Sequence, residues 1–89
     1  MREVVVTSAF KKDYKRLNRS GQYVMQDLQN IVEQLAGNVT LAEKYRDHPL
    51  IGNLNDCREC HIKPDWLLIY RIEGNELVLV RTGSHSDLF

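Results

Sequence analysis

The side chains with most to offer chemically are three histidines, all in the second half of the chain. His48 lies in Asp47-His48-Pro49-Leu50-Ile51-Gly52, and His61 in His61-Ile62-Lys63-Pro64-Asp65-Trp66. His85 lies in Arg81-Thr82-Gly83-Ser84-His85-Ser86-Asp87-Leu88-Phe89. Imidazole changes charge near neutral pH, so with Asp65 and Arg81 this set holds an acid, a base and a fixed cation. RNA cleavage without a metal or other cofactor needs those groups: a base for the 2′-hydroxyl proton, a cation for the crowded phosphorane, an acid for the leaving oxygen. Trp66 and Phe89 would stack on bases, and Arg81, at the end of a strand, would face a phosphate. Each histidine alone has a plainer reading: His48 ordering a loop, His61 bonded to backbone in a strand, His85 in a frayed terminus. Their positions in a loop, at a strand end and in the tail favour a shared site, because functional groups gather there over a sheet.

Two louder motifs carry less. Cys57-Arg58-Glu59-Cys60-His61 matches the C-x-x-C-H pattern of haem attachment, but no export signal precedes it. On a strand, residues three apart point to opposite faces, which disfavours a redox pair or a shared zinc. The second half of a zinc motif is also missing, so two reduced cysteines and no metal are expected. Ser84-His85-Ser86-Asp87 has the letters of a catalytic triad, yet triad groups come together from distant parts of a fold; Ser86 and Asp87 read as capping or solvated groups.

Eighty-nine residues suit one domain, spanning 1–89, with one core. A hydrophobic content of 43% against 27% charged speaks against disorder. No apolar run approaches the roughly 20 residues of a membrane span, and the Val-rich start followed by lysines is the wrong order for a signal peptide. The simplest expectation is cytoplasmic. Net charge is zero, but residues 1–19 hold six basic and two acidic side chains, a local +4 that the remaining chain balances with −4. That asymmetry suggests an anion-binding patch, although a few lysines on a solvated helix face are the plainer explanation.

Glu3 to Thr7 reads as a strand. Ser8 would cap a helix bearing Phe10, Tyr14 and Leu17, broken at Asn18-Arg19-Ser20-Gly21. A second helix runs to about Ala36, with Val24, Leu28, Ile31, Val32 and Leu35 on one face, and Gly37-Asn38 ends it. Thr40-Leu41-Ala42-Glu43 has capping-box spacing for one turn, and Lys44 to Asp56 reads as a loop. Strands follow at Arg58–Ile62, Trp66–Ile72 and Leu77–Thr82, the last two joined at Glu73-Gly74-Asn75-Glu76 and apolar enough to be covered on both faces. The fold class is α+β, in the order β-α-α-β-β-β: an N-terminal strand, a helical hairpin, then an antiparallel three-stranded meander and a short tail.

Three blocks, Tyr45 to Gly52, Arg58 to Tyr70 and Arg81 to Phe89, closely resemble the YafQ branch of the RelE/ParE toxin superfamily, and the length and element order fit it across the chain. The resemblance implies the toxin of a type II toxin–antitoxin system that binds the ribosomal A site and cuts mRNA there without metal. By the same resemblance His48, His61, Asp65 and His85 are the catalytic set. Arg81 and Phe89 position substrate, and Trp66 fills a family position that also suits packing. The basic first helix then becomes a ribosomal RNA contact through Lys11, Lys12, Lys15 and Arg16. A cognate antitoxin protein is implied as a partner. Within that scheme His85 is the expected general acid, Asp65 or His48 takes or relays the 2′-hydroxyl proton, and His61 orients a partner or stabilises charge. Cys57 and Cys60 lie outside the recurring pattern.

The main alternative is a ParE-like inhibitor of DNA gyrase on the same fold, which would not need a histidine cluster with an aspartate. Further rivals are a binding module with structural histidines and a metal hydrolase using the three histidines and Asp65.

Overall fold

The computed structural model describes all residues, 1–89. The valine-rich β1 (Glu3–Val6) leads into α1 (Ser8–Ser20). Thr7, not Ser8, is the cap: its hydroxyl accepts the Phe10 N–H at 3.0 Å and donates to the Val80 carbonyl at 2.8 Å. One side chain thereby serves two backbone groups that Ser8, already in the helix, cannot reach together. After Gly21, in the left-handed conformation that ends α1, the chain enters α2 (Met25–Ala36). Phe10, Leu17, Leu28, Ile31 and Leu35 are buried as the spacing predicts, but Tyr14 and Val24 are 41% and 63% exposed. Val24 precedes the first helical turn, so the α2 periodicity does not govern it.

The expected Thr40 box is not formed: a 3₁₀ turn, Glu43–Tyr45, follows Ala42 with no side-chain cap. The segment read as a loop also contains β2 (His48–Pro49) and a second 3₁₀ turn, Gly52–Leu54. Then come β3 (Arg58–Lys63), β4 (Trp66–Glu73) and β5 (Glu76–Gly83). Gly74, at φ +57, opens the two-residue β4–β5 turn with the positive φ that tight hairpins need. The tail folds into α3 (His85–Leu88), capped reciprocally by Ser84 and Asp87.

The sheet order is β1-β5-β4-β3-β2, so the antiparallel meander is the centre of a five-stranded sheet that β1 closes by parallel pairing with β5. The helical hairpin covers one face, packing Phe10, Leu17, Leu28 and Ile31 against Cys60, Trp66, Leu68, Tyr70 and Leu79. Paired residues of neighbouring strands project to the same face, and alternate residues along a strand to opposite faces. The register therefore puts His48, Glu59, Ile69 and Arg81 in one row and His61, Leu67 and Gly83 in the next, on the face away from the helices. A bulge makes this possible. Ile69 pairs with Arg81 and Tyr70 with Leu79, leaving Val80 as the extra residue of β5, the same residue whose carbonyl Thr7 holds.

Gly83 is the tightest backbone position in this arrangement. Its φ is +154, and a Cβ there would lie 3.0 Å from Asp87 Oδ2 and 3.2 Å from Arg16 Nη2. Gly83→Ala is expected to lower stability in urea unfolding by about 2 kcal/mol and to speed amide exchange in α3.

Candidate active site

The densest cluster on the open face is His48, Glu59 and His61. His48 Nδ1 donates to the Arg46 carbonyl at 2.6 Å, since a carbonyl can only accept. That leaves Nε2 pointing at Glu59 Oε2, 3.1 Å away. A second proton on the ring turns this contact into an ion pair. His61 Nε2 lies 3.9 Å from the same carboxylate oxygen, and the two rings are 6.3 Å apart. Glu59 is buried, and its Oε1 has no hydrogen-bond partner. Orphaned buried oxygens are uncommon and costly, and functional sites are where they occur. Glu59 was missed in the sequence, although its signal was there: in a strand, Glu59 and His61 are two apart and share a face.

Upstream, Asp47 fixes the segment that carries His48. Its Oδ1 accepts the Tyr70 hydroxyl at 2.7 Å and the Arg58 Nε–H at 3.2 Å. Burial and the Asp47 carboxylate push the Tyr70 hydroxyl well above its ordinary range, keeping it a proton donor in this bond.

Asp65 and His85 form the second group. The Asp65 carboxylate accepts the backbone N–H of His85 at 3.0 Å, joining the β3–β4 turn to the first turn of α3. The exposed His85 ring stands 5.5 Å from that of Phe89. Because His61 pairs with Leu67 and Leu67 with Gly83, the backbones of His61 and of Gly83, two residues before His85, are two strand spacings apart, about 10 Å. Nearby, the Ser84 N–H donates to Asp87 Oδ2 at 3.0 Å, and this backbone bond holds the Asp87 carboxyl below its ordinary range, helped by Arg16.

Arg81 is anchored from outside the sheet. Asp13, on the inner side of α1, accepts its Nε–H at 2.6 Å and its Nη2–H at 3.1 Å, and also the Thr82 N–H at 3.2 Å. These bonds to a carboxylate raise the guanidinium further above its ordinary range, so Arg81 is a permanent cation. Its Nη1 makes no bond within the chain and remains for a ligand. Arg16 reaches both Asp13 and Asp87 at 3.5 Å, whereas Lys11, Lys12 and Lys15 are exposed and make no ion pair.

Trp66 does not belong with the stacking groups. It is buried, packs edge-on against Tyr23 at 4.9 Å and donates Nε1–H to Thr82 Oγ1 at 3.0 Å. Alternation along β4 puts its ring on the helix side with Leu68 and Tyr70, and it works as a core residue. Cys57 and Cys60 are free and buried. Cys60 pairs with Leu68 on the helix side while His61 faces the open side, so the C-x-x-C-H residues do not converge.

A helix-backed mixed sheet carrying histidines, carboxylates and an arginine on the face away from the helices makes this a small α+β domain with the groups of an acid/base site. The sequence profile described as "Bacterial toxin of type II toxin-antitoxin system, YafQ" matches residues 2–89. The chain belongs to that family. It is 35% identical over 89 residues to the "mRNA interferase toxin YafQ" of Escherichia coli (strain K12), covering 99% of this chain and 96% of that one. A metal-bound toxin from Helicobacter pylori is 47% identical, with TM-score 0.92 and 100% of both chains covered. The E. coli DinJ-YafQ toxin-antitoxin complex gives TM-score 0.87 at 34% identity, covering 99% of this chain and 97% of that one.

Two measurements follow from the geometry. Asp13→Asn keeps an acceptor but removes the charge from a buried hub, and should lower stability by about 2 kcal/mol in urea unfolding. Burial pushes the Cys60 thiol up to about 12 and raises that of Cys57. Both thiols are buried and harder to ionise than a free cysteine, so at pH 8 iodoacetamide should alkylate the native protein much more slowly than the unfolded chain.

Proposed function

We propose that this toxin is an endoribonuclease that cuts mRNA in the ribosomal A site by general acid/base catalysis. The observation that carries the reading is the convergence of His48, Glu59 and His61 on the sheet face away from the helical hairpin, with Arg81 in the same row and the exposed His85 at the rim beside Asp65. The 2′-hydroxyl loses its proton to the His48–Glu59 pair, whose Nε2 and Oε2 lie 3.1 Å apart and whose imidazole is pinned through Nδ1 to the Arg46 carbonyl. The freed oxygen attacks the adjacent phosphorus, forming a 2′,3′-cyclic phosphate as the bond to the 5′-oxygen breaks. Arg81, through Nη1, offsets the charge gathering on the phosphorane. His85 gives a proton to the departing 5′-oxygen, with Phe89 beside it to stack on a base. Glu59 stabilises His48 once protonated, and His61 sits where it can share that charge. Asp65 acts by holding the first turn of α3, and so His85, at the rim.

Metal receives no step. The H. pylori relative is metal-bound, but none of the proton transfers proposed here needs a metal. Proton transfer suffices, and cleavage is expected to survive chelator. Lys11, Lys12, Lys15 and Arg16 form an exposed cationic strip on α1, suited to ribosomal RNA. A cognate antitoxin is the partner, as in the E. coli complex. The family match weighs against the gyrase-inhibitor alternative, since the E. coli relative carries the interferase name.

The test is to express the chain without antitoxin and map 5′ ends of a reporter mRNA with translation on and off. Cuts at in-frame codons that vanish when translation is blocked are expected. His85→Ala should lower single-turnover cleavage by about a hundredfold or more and Glu59→Gln by about tenfold or more. Growth arrest with intact mRNA would overturn the reading in favour of gyrase inhibition.

A further inference from the structure

Beside His61 the surface opens into a notch of about 530 Å³ between α2, the Glu43–Tyr45 turn and the outer edge of β3. It exists because β2 is only two residues long: it pairs with Arg58 and Glu59 and leaves the rest of the β3 edge, Cys60 to Lys63, without a neighbouring strand. Three cations, Lys44, Arg46 and Lys63, line the notch against one carboxylate, Asp27. Asp27 holds the Lys63 ammonium at 3.4 Å, and the Lys44 ammonium lies 5.1 Å from the Tyr45 ring centre. Ile62 and Tyr45 supply apolar wall.

Arg46 couples this notch to the proposed proton-transfer site. It adopts a left-handed conformation, φ +50, unusual for a residue with a side chain and typical of places under functional constraint. Its carbonyl pins His48 Nδ1 while its side chain lines the notch. A ligand seated there would lie against the segment that orients His48.

We propose that the notch is a nucleotide subsite, taking the RNA residue next to the scissile phosphate on the His61 side. Lys44, Arg46 and Lys63 meet its phosphate, and Tyr45 with Ile62 meets its base. The volume falls in the range of small-ligand sites, and a cationic groove with an aromatic wall is how single-stranded nucleic acid is held. Lys44 gives up its place over the Tyr45 ring for the phosphate as the base arrives. The assignment rests on the endoribonuclease reading above and extends it by naming what lies beside the broken bond.

The experiment uses a 2′-O-methyl tetranucleotide, which lacks the attacking hydroxyl, titrated into the ¹⁵N-labelled full chain. Amide shifts at Lys44 to Arg46 and His61 to Lys63 are expected. The double variant Lys44→Gln/Lys63→Gln should bind about tenfold more weakly, with a salt slope smaller by up to about 0.7, the share of the one phosphate those side chains meet. A notch whose amides stay still, with the oligonucleotide bound elsewhere or not at all, overturns the subsite. So does an identical shift pattern from a hexaglutamate peptide, which would make the notch a generic anion or acidic-protein contact. Reporter mRNA separates the two levels. A silent notch, with cleavage by the wild type and none by His85→Ala, removes the subsite and keeps the nuclease. A responsive notch in a protein that cuts no RNA removes the nuclease and leaves a nucleotide-binding site.

Discussion

The carboxylate of Asp13 joins the two halves of this fold. β1 stops at Val6, so the end of β5 has an open edge toward α1, and a bare edge N–H there would be costly to bury. Asp13 takes the place of the missing strand by accepting the Thr82 N–H, and with the same two oxygens it holds Arg81. Arg16, one turn along α1, reaches on to Asp87 and the cap of α3. One buried acidic side chain thus seats the first helix, covers a sheet edge and positions the guanidinium and C-terminal turn of the open face. Its charge is tolerable because two guanidiniums and a backbone amide surround it.

A second buried carboxylate has a different character. Glu59 is met by His48 on one oxygen and by nothing on the other. A hydrophobic residue would pack there at lower cost, so its presence reflects the pair of histidines it faces more than the needs of folding. The two acids divide the labour: Asp13 is fully partnered and holds architecture together, while Glu59 keeps an unpartnered acceptor on the open face.

Much of this was legible from residue patterns. The order β-α-α-β-β-β, the core stripe Leu28, Ile31, Leu35 and the Gly74 hairpin follow from periodicity and turn chemistry, which are local. What escaped was set by pairing between distant segments. Nothing around residues 3–6 says that β1 lies beside β5, or that β5 takes an extra residue at Val80 and so turns Arg81 onto the open face. Val24 and Tyr14 looked like core because helical spacing gives a stripe without its edges. Trp66 looked like a rim aromatic because it follows a turn, and only the packing of the helical hairpin on the Leu68 and Tyr70 side shows that its ring is core. The three histidines stood out by type, but Glu59 was hidden among the surface-like charges of β3.

The parallel pairing of β1 with β5 also bears on how the chain is made. Glu3 lies against Glu76, so β1 must wait for a strand about seventy residues further along the chain. Until then β1 has no partner, Thr7 cannot hold the Val80 bulge, and Asp13 has no edge to cover. Contacts of such sequence separation form late, after the loop-closure entropy of nearly the whole chain has been overcome. Closure of this edge of the sheet, and with it the seat of Arg81, therefore follows the synthesis of β5.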